Sequence, residues 1–294
     1  MKVRFVTGAY DDLNGTKYYG RINRGGHYVF SLSCLNNMGK PITCFTNKRT
    51  ALKMAPYLAL EDCENIELVN YNLEDYKHHK AIQDIRNKNE ERYTNASWEQ
   101  RCVEIMWGKF EWMSKVLEEM DDEDYLFWID AGLSHPGVVP SSKYNPYPYH
   151  SMSPALKHEY AFRNERLFTP EFVDGIVEYT GEKLLNILCN RPQHSDPMPV
   201  DYTRKIVGSV IGGLFGGKKK VMQPYIASFE EAASYFLQKE SLVKEEEIMT
   251  YLLNINFDSF KLFQFDTWYH IDWDSYDKDE ISFSDFFKEV RNEK

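Results

Sequence analysis

The chain has 294 residues, 43% of them apolar and 15% aromatic, which is enough to form a hydrophobic core without disulfides or a structural metal. Its net charge of -10 at pH 7 argues against the broad basic surface with which nucleic-acid-binding proteins contact phosphates, and so excludes nucleic acid as an expected partner. The five cysteines form no C-x-x-C pair, so they indicate neither a disulfide framework nor a zinc site and are typical of a reducing cytoplasm.

The amino-terminal residues lack the apolar stretch of a secretion signal. No segment approaches the ~20 consecutive apolar residues that a membrane-spanning helix needs. We therefore expect a cytoplasmic protein without a transmembrane segment, either free or associated peripherally with the inner face of the membrane.

The first half of the sequence alternates short β-rich runs with longer helical runs. Strands are predicted at residues 2–7, 42–46 and 66–69, and helices at 28–37 and 48–57. This alternation predicts an α/β fold in which a mostly parallel central sheet is flanked by helices.

The segment from residue 98 to residue 118 has the strongest helical pattern in the chain. Spacing at 100° per residue places four residues on one inward face: Cys102, Met106, Met113 and Val116. The apolar run at 125–129 then reads as a central parallel strand. Asp130 follows it, at the end where ligands bind in such sheets.

The pattern is less regular in the second half. Residues 136–154, rich in proline, serine and tyrosine, predict a long binding loop. A short apolar strand from residue 206 is predicted to pass into a glycine-rich turn at 212–217. Helices at 229–239 and 245–253, a strand at 260–265 and a peripheral acidic tail after Trp273 complete the predicted elements.

Asp130 is the first candidate functional residue. Ala131 and Gly132 after it leave room for a ligand to approach the backbone. The functional interpretation is a ligand for a divalent cation or for the ribose of a nucleotide, and the alternative is a turn cap. His270, among aromatic residues, is either a hydrogen-bonded core histidine or the nitrogen ligand of a mixed metal site.

The glycines between residues 212 and 217 indicate a backbone that comes close to another segment or to a substrate. Gly212, Gly213 and Gly216 are therefore candidate substrate-binding residues. The lysines at 218–220 are interpreted either as ligands of a diphosphate or as the solvated start of a helix.

Three consecutive glutamates open the predicted helix at 245–253. Helical spacing places Glu245 near the centre of the apolar face and Glu246 on its edge, while Glu247 points away. An inward carboxylate is costly unless it is paired or used. Glu245 and Glu246 are therefore candidate catalytic residues; the alternative is an acidic first turn that complements the helix dipole.

Lys109 lies on the apolar stripe of the helix predicted at 98–118. Three interpretations remain open: it pairs with a buried carboxylate, reaches a ligand phosphate, or extends its ammonium group to solvent. Gly108 beside it indicates close helix packing.

The segments 105–112 and 125–135, the second with the motif Trp-Ile-Asp-Ala-Gly, resemble the bacterial WlaTC/HtrL (YibB) family. Further likeness lies at residues 6–10, 44–47 and 212–217. Members of this family are regarded as candidate glycosyltransferases of surface-polysaccharide gene clusters. The order of Asp130, the glycines, Glu245 or Glu246, and His270 also resembles the motif order of the GT-A fold. Gly132 stands where a full D-x-D motif has its second carboxylate, so whether Asp130 binds a metal or only the ribose stays open.

The resemblance implies a single GT-A-like domain over residues 1–294, with a nucleotide-binding half at 1–132 and an acceptor half at 133–294. It implies transfer of a sugar from a nucleoside-diphosphate sugar to a glycan or glycolipid acceptor, in surface polysaccharide or lipooligosaccharide biosynthesis. The implied site comprises three sets of residues: Thr7, Gly8, Tyr10 and Lys109 at the donor, Asp130 and His270 with Mn²⁺ or Mg²⁺, and Glu245 or Glu246 as general base.

Two other functions fit parts of the sequence. A sugar nucleotidyltransferase uses a related sheet but needs a glycine-rich, basic loop soon after the first strand, which residues 23–26 imitate only poorly. A non-catalytic carbohydrate-binding protein would need only aromatic faces such as those of Tyr144, Tyr147 and Tyr149.

Overall fold

The computed structural model describes residues 1–10, 32–60, 62–91, 102–131, 168–189, 209–265 and 287–289. Within these ranges an eight-stranded sheet has helices packed on both faces. This arrangement confirms the predicted α/β class. The division into a nucleotide-binding half and an acceptor half stays a prediction.

Six of the eight described strands point in one direction, and these are β1 (Val3–Gly8), β2 (Ile42–Thr46), β3 (Ile66–Asn70), β4 (Tyr125–Ile129), β5 (Leu184–Cys189) and β7 (Phe260–Phe265). β6 (Ser209–Lys218) and β8 (Phe287–Glu289) run against their neighbours. The spatial order is β3-β2-β1-β4-β6-β5-β7-β8. The sheet is therefore mostly parallel, as predicted, with β6 inserted in the opposite direction between β4 and β5.

The described helices with defined bounds are α1 (Lys48–Leu60), α2 (His79–Lys88), α3 (Val103–Leu117), α4 (Pro170–Thr180), α5 (Lys219–Gln238) and α6 (Glu245–Ile255). Short 3-10 turns lie at Leu73–Asp75 and Phe257–Ser259. Of the helices in the described ranges, none combines the length and apolarity that crossing a membrane requires.

The two faces of the sheet bury separate apolar clusters. On one face α2, α3, α5 and α6 pack over the sheet, and Phe110 of α3 stacks on Phe229 of α5 with ring centroids 3.5 Å apart. On the other face α1, α4 and residues 32–38 pack against strand residues such as Phe127. Helix α3 is buried nearly all round because it lies between the sheet and the three helices α2, α5 and α6. The predicted inward residues are all buried: Cys102, Met106, Met113 and Val116.

The local sequence pattern located most described elements correctly. The bounds of β2, β4 and β7 match the prediction, and β1, β3, α1 and α6 agree within a few residues. The pattern missed α2, α4 and β5. For α4 a signal was present, since Pro170 stands at the start of the helix and the hydroxyl of Thr169 accepts a hydrogen bond from the Phe172 backbone.

The predicted glycine-rich turn at 212–217 is wrong, because these residues belong to the continuous strand β6. Gly216 lies opposite Phe127 of β4. A Cβ atom built there would lie 2.6 Å from the Phe127 Cα atom and would also meet the Leu126 carbonyl oxygen. The glycine is therefore needed for close packing inside the sheet.

We expect Gly216→Ala to lower the free energy of unfolding by about 1 to 3 kcal/mol, because the added methyl group meets backbone atoms that cannot rotate away. Chemical denaturation of both proteins measures this difference. A change below about 0.5 kcal/mol, the size of an ordinary surface substitution, would show that β4 and β6 adjust to the methyl group.

Candidate functional site

The carboxyl ends of β1 and β4 form one edge of the sheet. β1 lies between β2 and β4. The chain passes from β1 to β2 on one side of β1, and from β3 to β4, on the other side. In open α/β sheets such a reversal creates the crevice in which ligands bind. Asp130 lies at this edge directly after β4, and its backbone N–H donates to the Gly213 carbonyl of β6 at 2.8 Å.

Asp130 is the accessible carboxylate of the site. Its side chain is 40% exposed, and its Oδ1 atom accepts a 2.7 Å hydrogen bond from the Trp128 indole nitrogen. The same Oδ1 atom lies 3.1 Å from the Lys109 ammonium nitrogen. Both contacts use Oδ1, so Oδ2 is the oxygen that Asp130 presents to a ligand.

Lys109 of α3 is buried beneath Asp130. Its ammonium group lies 2.7 Å from Glu245 Oε1 of α6 and donates to the Gly212 carbonyl of β6 at 2.9 Å. Burial by itself lowers the pKa of Lys109, but the negative charges of Asp130 and Glu245 outweigh it, so the pKa is raised overall. Lys109 is therefore a permanent buried cation, and of the three interpretations from sequence, pairing with a buried carboxylate is the one observed.

The glutamates at the start of α6 differ in their surroundings. Glu245 is buried in the ion pair with Lys109, as its predicted inward position required. Glu246 is partly exposed and accepts a 3.0 Å hydrogen bond from the Gly212 backbone N–H. The prediction that Glu247 points away is wrong: it is 5% exposed, and its carboxylate accepts a hydrogen bond from the Lys244 backbone N–H. A glutamate at the third helical position folds back in this way in a capping box.

Glu246 has the most strongly perturbed carboxyl group around Asp130. Burial and the neighbouring charge of Glu245 raise its pKa to about 7, against the lowering effect of the Gly212 hydrogen bond. A carboxyl group that titrates near neutral pH can accept or donate a proton under cellular conditions. Glu246 therefore fits the predicted acid-base role better than Glu245 does.

The raised pKa of Glu246 predicts a pH-dependent stability. Between its ordinary pKa of 4.5 and about 7, the folded protein holds a proton at Glu246 that the unfolded chain loses, so the free energy of unfolding falls as the pH rises. Glu246→Gln removes this dependence. We expect the variant to gain roughly 2 kcal/mol over wild type between pH 4.5 and pH 8.

Denaturant unfolding at a series of pH values measures this gain. The exposed Glu231 of α5 supplies the matched control Glu231→Gln, which removes a carboxylate from the protein surface by the same substitution. Parallel curves for wild type and Glu246→Gln would show that Glu246 ionises normally in the folded protein.

Gly212 lies at the centre of the site. Its carbonyl contacts Lys109 and its N–H contacts Glu246, and a Cβ atom there would lie 2.6 Å from Glu245 Oε1. Gly213 supports Asp130 through its carbonyl. Gly216 lies further along β6, within the sheet. The substrate-binding roles of these glycines stay predictions. The structural role of Gly212 is to let β6 approach α3 and α6, and that of Gly216 is to let β6 pack closely against β4.

The lysines at residues 218–220, where β6 ends and α5 begins, do not belong to the site. Tyr125 pairs with Lys218 at the start of β4, so these lysines lie at the opposite edge from Asp130. Lys218 and Lys220 form ion pairs with Glu123 and Glu182. Their interpretation as diphosphate ligands beside the glycines is therefore wrong, and the alternative, the start of a helix, is the one observed.

Of the donor residues predicted near the first strand, Thr7 and Tyr10 are buried and Gly8 is half-buried. Thr7 is 0% exposed, and a Cβ atom at Gly8 would lie 2.5 Å from the Trp112 ring. Tyr10 stacks on the same ring, and its hydroxyl donates to the Tyr71 carbonyl at 3.0 Å. These contacts give Gly8 and Tyr10 packing roles, and nucleotide binding by Thr7, Gly8 and Tyr10 stays a prediction.

His270, Gly132, the motif at 23–26 and the loop at 136–154 lie outside the described residues. In the ranges that the structure describes, no three or more His, Cys, Asp and Glu side chains are grouped to hold a metal ion. The predicted pairing of Asp130 with His270 at a divalent cation therefore stays a prediction.

Sequence reasoning missed the part that Trp128 plays in the site. Trp128 and Asp130 are two positions apart, so the alternation of a strand places them on the same side. The observed hydrogen bond between them follows from that spacing. Because residues 125–129 are apolar throughout, their hydrophobic pattern does not show which of them share a side with Asp130.

A groove of about 700 Å³ lies near the starts of β5 and β7. Its walls include Leu184, Pro224 and Phe260, and the Lys220 and Glu182 side chains at its rim pair with each other. The buried lysine and its carboxylates lie at the other edge of the sheet. We therefore place the candidate site at Asp130, where charged groups converge.

No protein-family model and no curated protein matches the chain. Among solved structures, a 4-diphosphocytidyl-2C-methyl-D-erythritol synthase from Anaerococcus prevotii is similar, with 12% identity, a TM-score of 0.42 and coverage of 90% of this chain and 88% of that one. A mannose-6-phosphate isomerase from Helicobacter pylori has 8% identity, a TM-score of 0.37 and coverage of 82% and 78%. A candidate glucose-1-phosphate thymidylyltransferase from Bacillus anthracis, in complex with a sucrose, has 9% identity, a TM-score of 0.38 and coverage of 91% and 87%.

These neighbours contradict the prediction of sugar transfer to a glycan acceptor. The names of the synthase and the thymidylyltransferase agree with the alternative drawn from sequence, a sugar nucleotidyltransferase. The similarity to the WlaTC/HtrL family stays a prediction. Because the identities and TM-scores are low, we base the proposed function on the geometry around Asp130.

Proposed function

We propose that the chain is a sugar nucleotidyltransferase, which joins a nucleoside triphosphate to a sugar phosphate and releases pyrophosphate. In this reaction an oxygen of the sugar phosphate attacks the α-phosphorus, and the bond from that phosphorus to the bridging oxygen of pyrophosphate breaks. The observation that carries the proposal is the exposed carboxylate of Asp130, held by Lys109 and Trp128 at the carboxyl edge of the sheet. Nucleotides bind α/β sheets at such an edge.

The charge around Asp130 supports a divalent cation as part of the substrate complex. The single positive charge of Lys109 faces the carboxylates of Asp130 and Glu245, with Glu246 close by. This surplus of negative charge would repel a bare triphosphate. Asp130 Oδ2 is an accessible carboxylate oxygen, the ligand type that Mg²⁺ and Mn²⁺ prefer. The cation would neutralise the charge that develops on the leaving pyrophosphate.

Glu245 and Glu246 have separate roles in this proposal. Glu245 is enclosed in its ion pair with Lys109, so it supports the site without touching substrate. Glu246 is partly exposed and has a pKa of about 7. It is therefore placed to form hydrogen bonds with hydroxyl groups of the sugar phosphate, as donor when protonated and acceptor when ionised.

The proposal also fits surface polysaccharide or lipooligosaccharide biosynthesis, the process that the family resemblance implies. The product would be a nucleoside-diphosphate sugar, the compound from which surface polysaccharides are built. Membership of the WlaTC/HtrL family, a GT-A-like arrangement of the complete chain and attachment to the inner face of the membrane remain part of the proposal.

Pyrophosphate release tests the proposal. The full chain is incubated with Mg²⁺, each of ATP, CTP, GTP, UTP and dTTP, and a panel of sugar 1-phosphates. We expect release with one nucleotide only when a sugar phosphate is present, and the corresponding nucleoside-diphosphate sugar as product. Reactions without sugar phosphate are the control for simple hydrolysis. Binding of glycans without any binding of nucleotide would instead favour the non-catalytic carbohydrate-binding alternative.

A further inference from the structure

The ammonium group of Lys109 has no donor left for a substrate phosphate. A lysine ammonium carries three N–H donors. Three oxygen atoms surround the group: Glu245 Oε1 at 2.7 Å, the Gly212 carbonyl at 2.9 Å and Asp130 Oδ1 at 3.1 Å. The side chain is only 6% exposed. A phosphate would have to displace one of these partners to reach it.

The surroundings of Lys109 hold the ammonium group in a fixed place. Gly212 belongs to β6 and Glu245 to α6, so two separate elements of the fold bind the group. The Trp128 ring lies beside it, with its centroid 5.2 Å from the ammonium nitrogen. A cation that is fixed in this way provides a rigid support for a more mobile neighbour.

Asp130 is that neighbour, because its side chain is 40% exposed whereas those of Lys109 and Glu245 are almost fully buried. An exposed aspartate loses rotational freedom when it binds a ligand, which reduces affinity. Here Lys109 and Trp128 both hold Oδ1, so the rotation is restricted before a ligand arrives. Oδ2 is then the oxygen left to bind.

We infer that Lys109 is a positioning residue, which acts on the substrate through Asp130 and does not contact the nucleotide phosphates. The inference rests on the proposed function, since it concerns nucleotide binding at the same site. It replaces the substrate-binding role predicted for Lys109 from sequence. Its observable consequence is that Lys109 contributes to nucleotide affinity only while Asp130 carries its carboxylate.

A double variant removes the contact between Lys109 and Asp130 without leaving a buried charge unpaired. Lys109→Met alone would leave Glu245 as an unpaired buried charge and endanger folding. Lys109→Met is therefore combined with Glu245→Met, so that the buried ion pair is removed as a unit. Glu245 does not touch substrate in the proposed function, so comparison with the wild type measures the loss of the ammonium group beside Asp130.

Calorimetry with Mg²⁺ and each of the five nucleoside triphosphates measures binding to the wild type and to the double variant, and circular dichroism verifies their folding. We expect the double variant to bind the preferred nucleotide about 10-fold more weakly than the wild type. The same two proteins are then compared with Asp130→Ala added to each, where Lys109 is either paired with Glu245 or absent. There we expect the difference to vanish, whereas a merely structural role for Lys109 would weaken binding equally in both backgrounds.

The outcomes separate the two proposals. Equal affinity of the wild type and the double variant, or a 10-fold difference that persists with Asp130→Ala, overturns the positioning role and leaves the proposed function intact. Failure of the wild-type chain to bind any of the five nucleotides overturns the proposed function, and the positioning role with it.

Discussion

Asp130→Asn is expected to lower kcat/KM for pyrophosphate release at least about 100-fold, which is the usual effect of removing one charged or hydrogen-bonding group that acts on the transition state. The amide oxygen can still accept the hydrogen bonds of Trp128 and Lys109. The substitution therefore removes the negative charge of Oδ2 while it preserves the shape of the site. Initial rates with the preferred nucleotide and sugar phosphate measure the loss.

The control for this prediction is Asp84→Asn, which neutralises an aspartate of α2 whose side chain is 63% exposed. It is expected to leave the rate unchanged. Asp130→Asn should also keep the wild-type unfolding midpoint within a few degrees, because Asp130 is accessible to water. Undiminished turnover in a folded Asp130→Asn protein would remove Asp130 from the mechanism.

Arg86→Met is expected to cost about 3 to 5 kcal/mol of the free energy of unfolding, which is the usual effect of leaving one partner of a buried ion pair unpaired. Arg86 of α2 and Glu104 of α3 are both 0% exposed. The guanidinium binds both carboxylate oxygens, with Nη2 2.6 Å from Oε2 and Nη1 paired with Oε1. Removal of Arg86 leaves the Glu104 carboxylate with Gln83 as a neutral donor and His79 nearby.

The double variant Arg86→Met with Glu104→Met is the matched control. It removes both charges and fills the space with apolar side chains, so most of the lost stability is expected to return. Urea unfolding of the wild type and of both variants measures the difference. If Arg86→Met were as stable as the double variant, the pair would contribute no more than an ordinary surface ion pair.

The part of the site that could be predicted from sequence is the part fixed by local pattern. The apolar run before Asp130 located β4 and placed the aspartate at the correct edge of the sheet. Helical spacing placed Glu245 inward and Glu246 at the edge of α6. The same spacing failed for Glu247, because a capping hydrogen bond at the first turn turned its side chain back toward Lys244.

The remaining features depend on contacts between distant residues. Lys109 and Glu245 are 136 positions apart, and Lys109 and the Gly212 carbonyl are 103 apart. No local pattern indicates whether the ammonium group of Lys109 pairs with a buried carboxylate, reaches a ligand phosphate or extends to solvent. The glycines of β6 are ambiguous in the same way, because a glycine-rich run is also typical of a turn. Only the positions of the neighbouring strand and helices show that these residues must lack a side chain.

The sequence by itself determined the α/β class, the strand that ends before Asp130 and the inward position of Glu245. Periodicity and the succession of strands and helices along the chain are local properties. Only the tertiary structure decided that Lys109 lies beneath Asp130 and that Gly212 contacts both α3 and α6. It also placed the lysines at 218–220 at the edge of the sheet opposite to Asp130. The physical reason is that the buried lysine and its carboxylates each need a partner, and packing of the sheet against α3 and α6 selects which one is within reach.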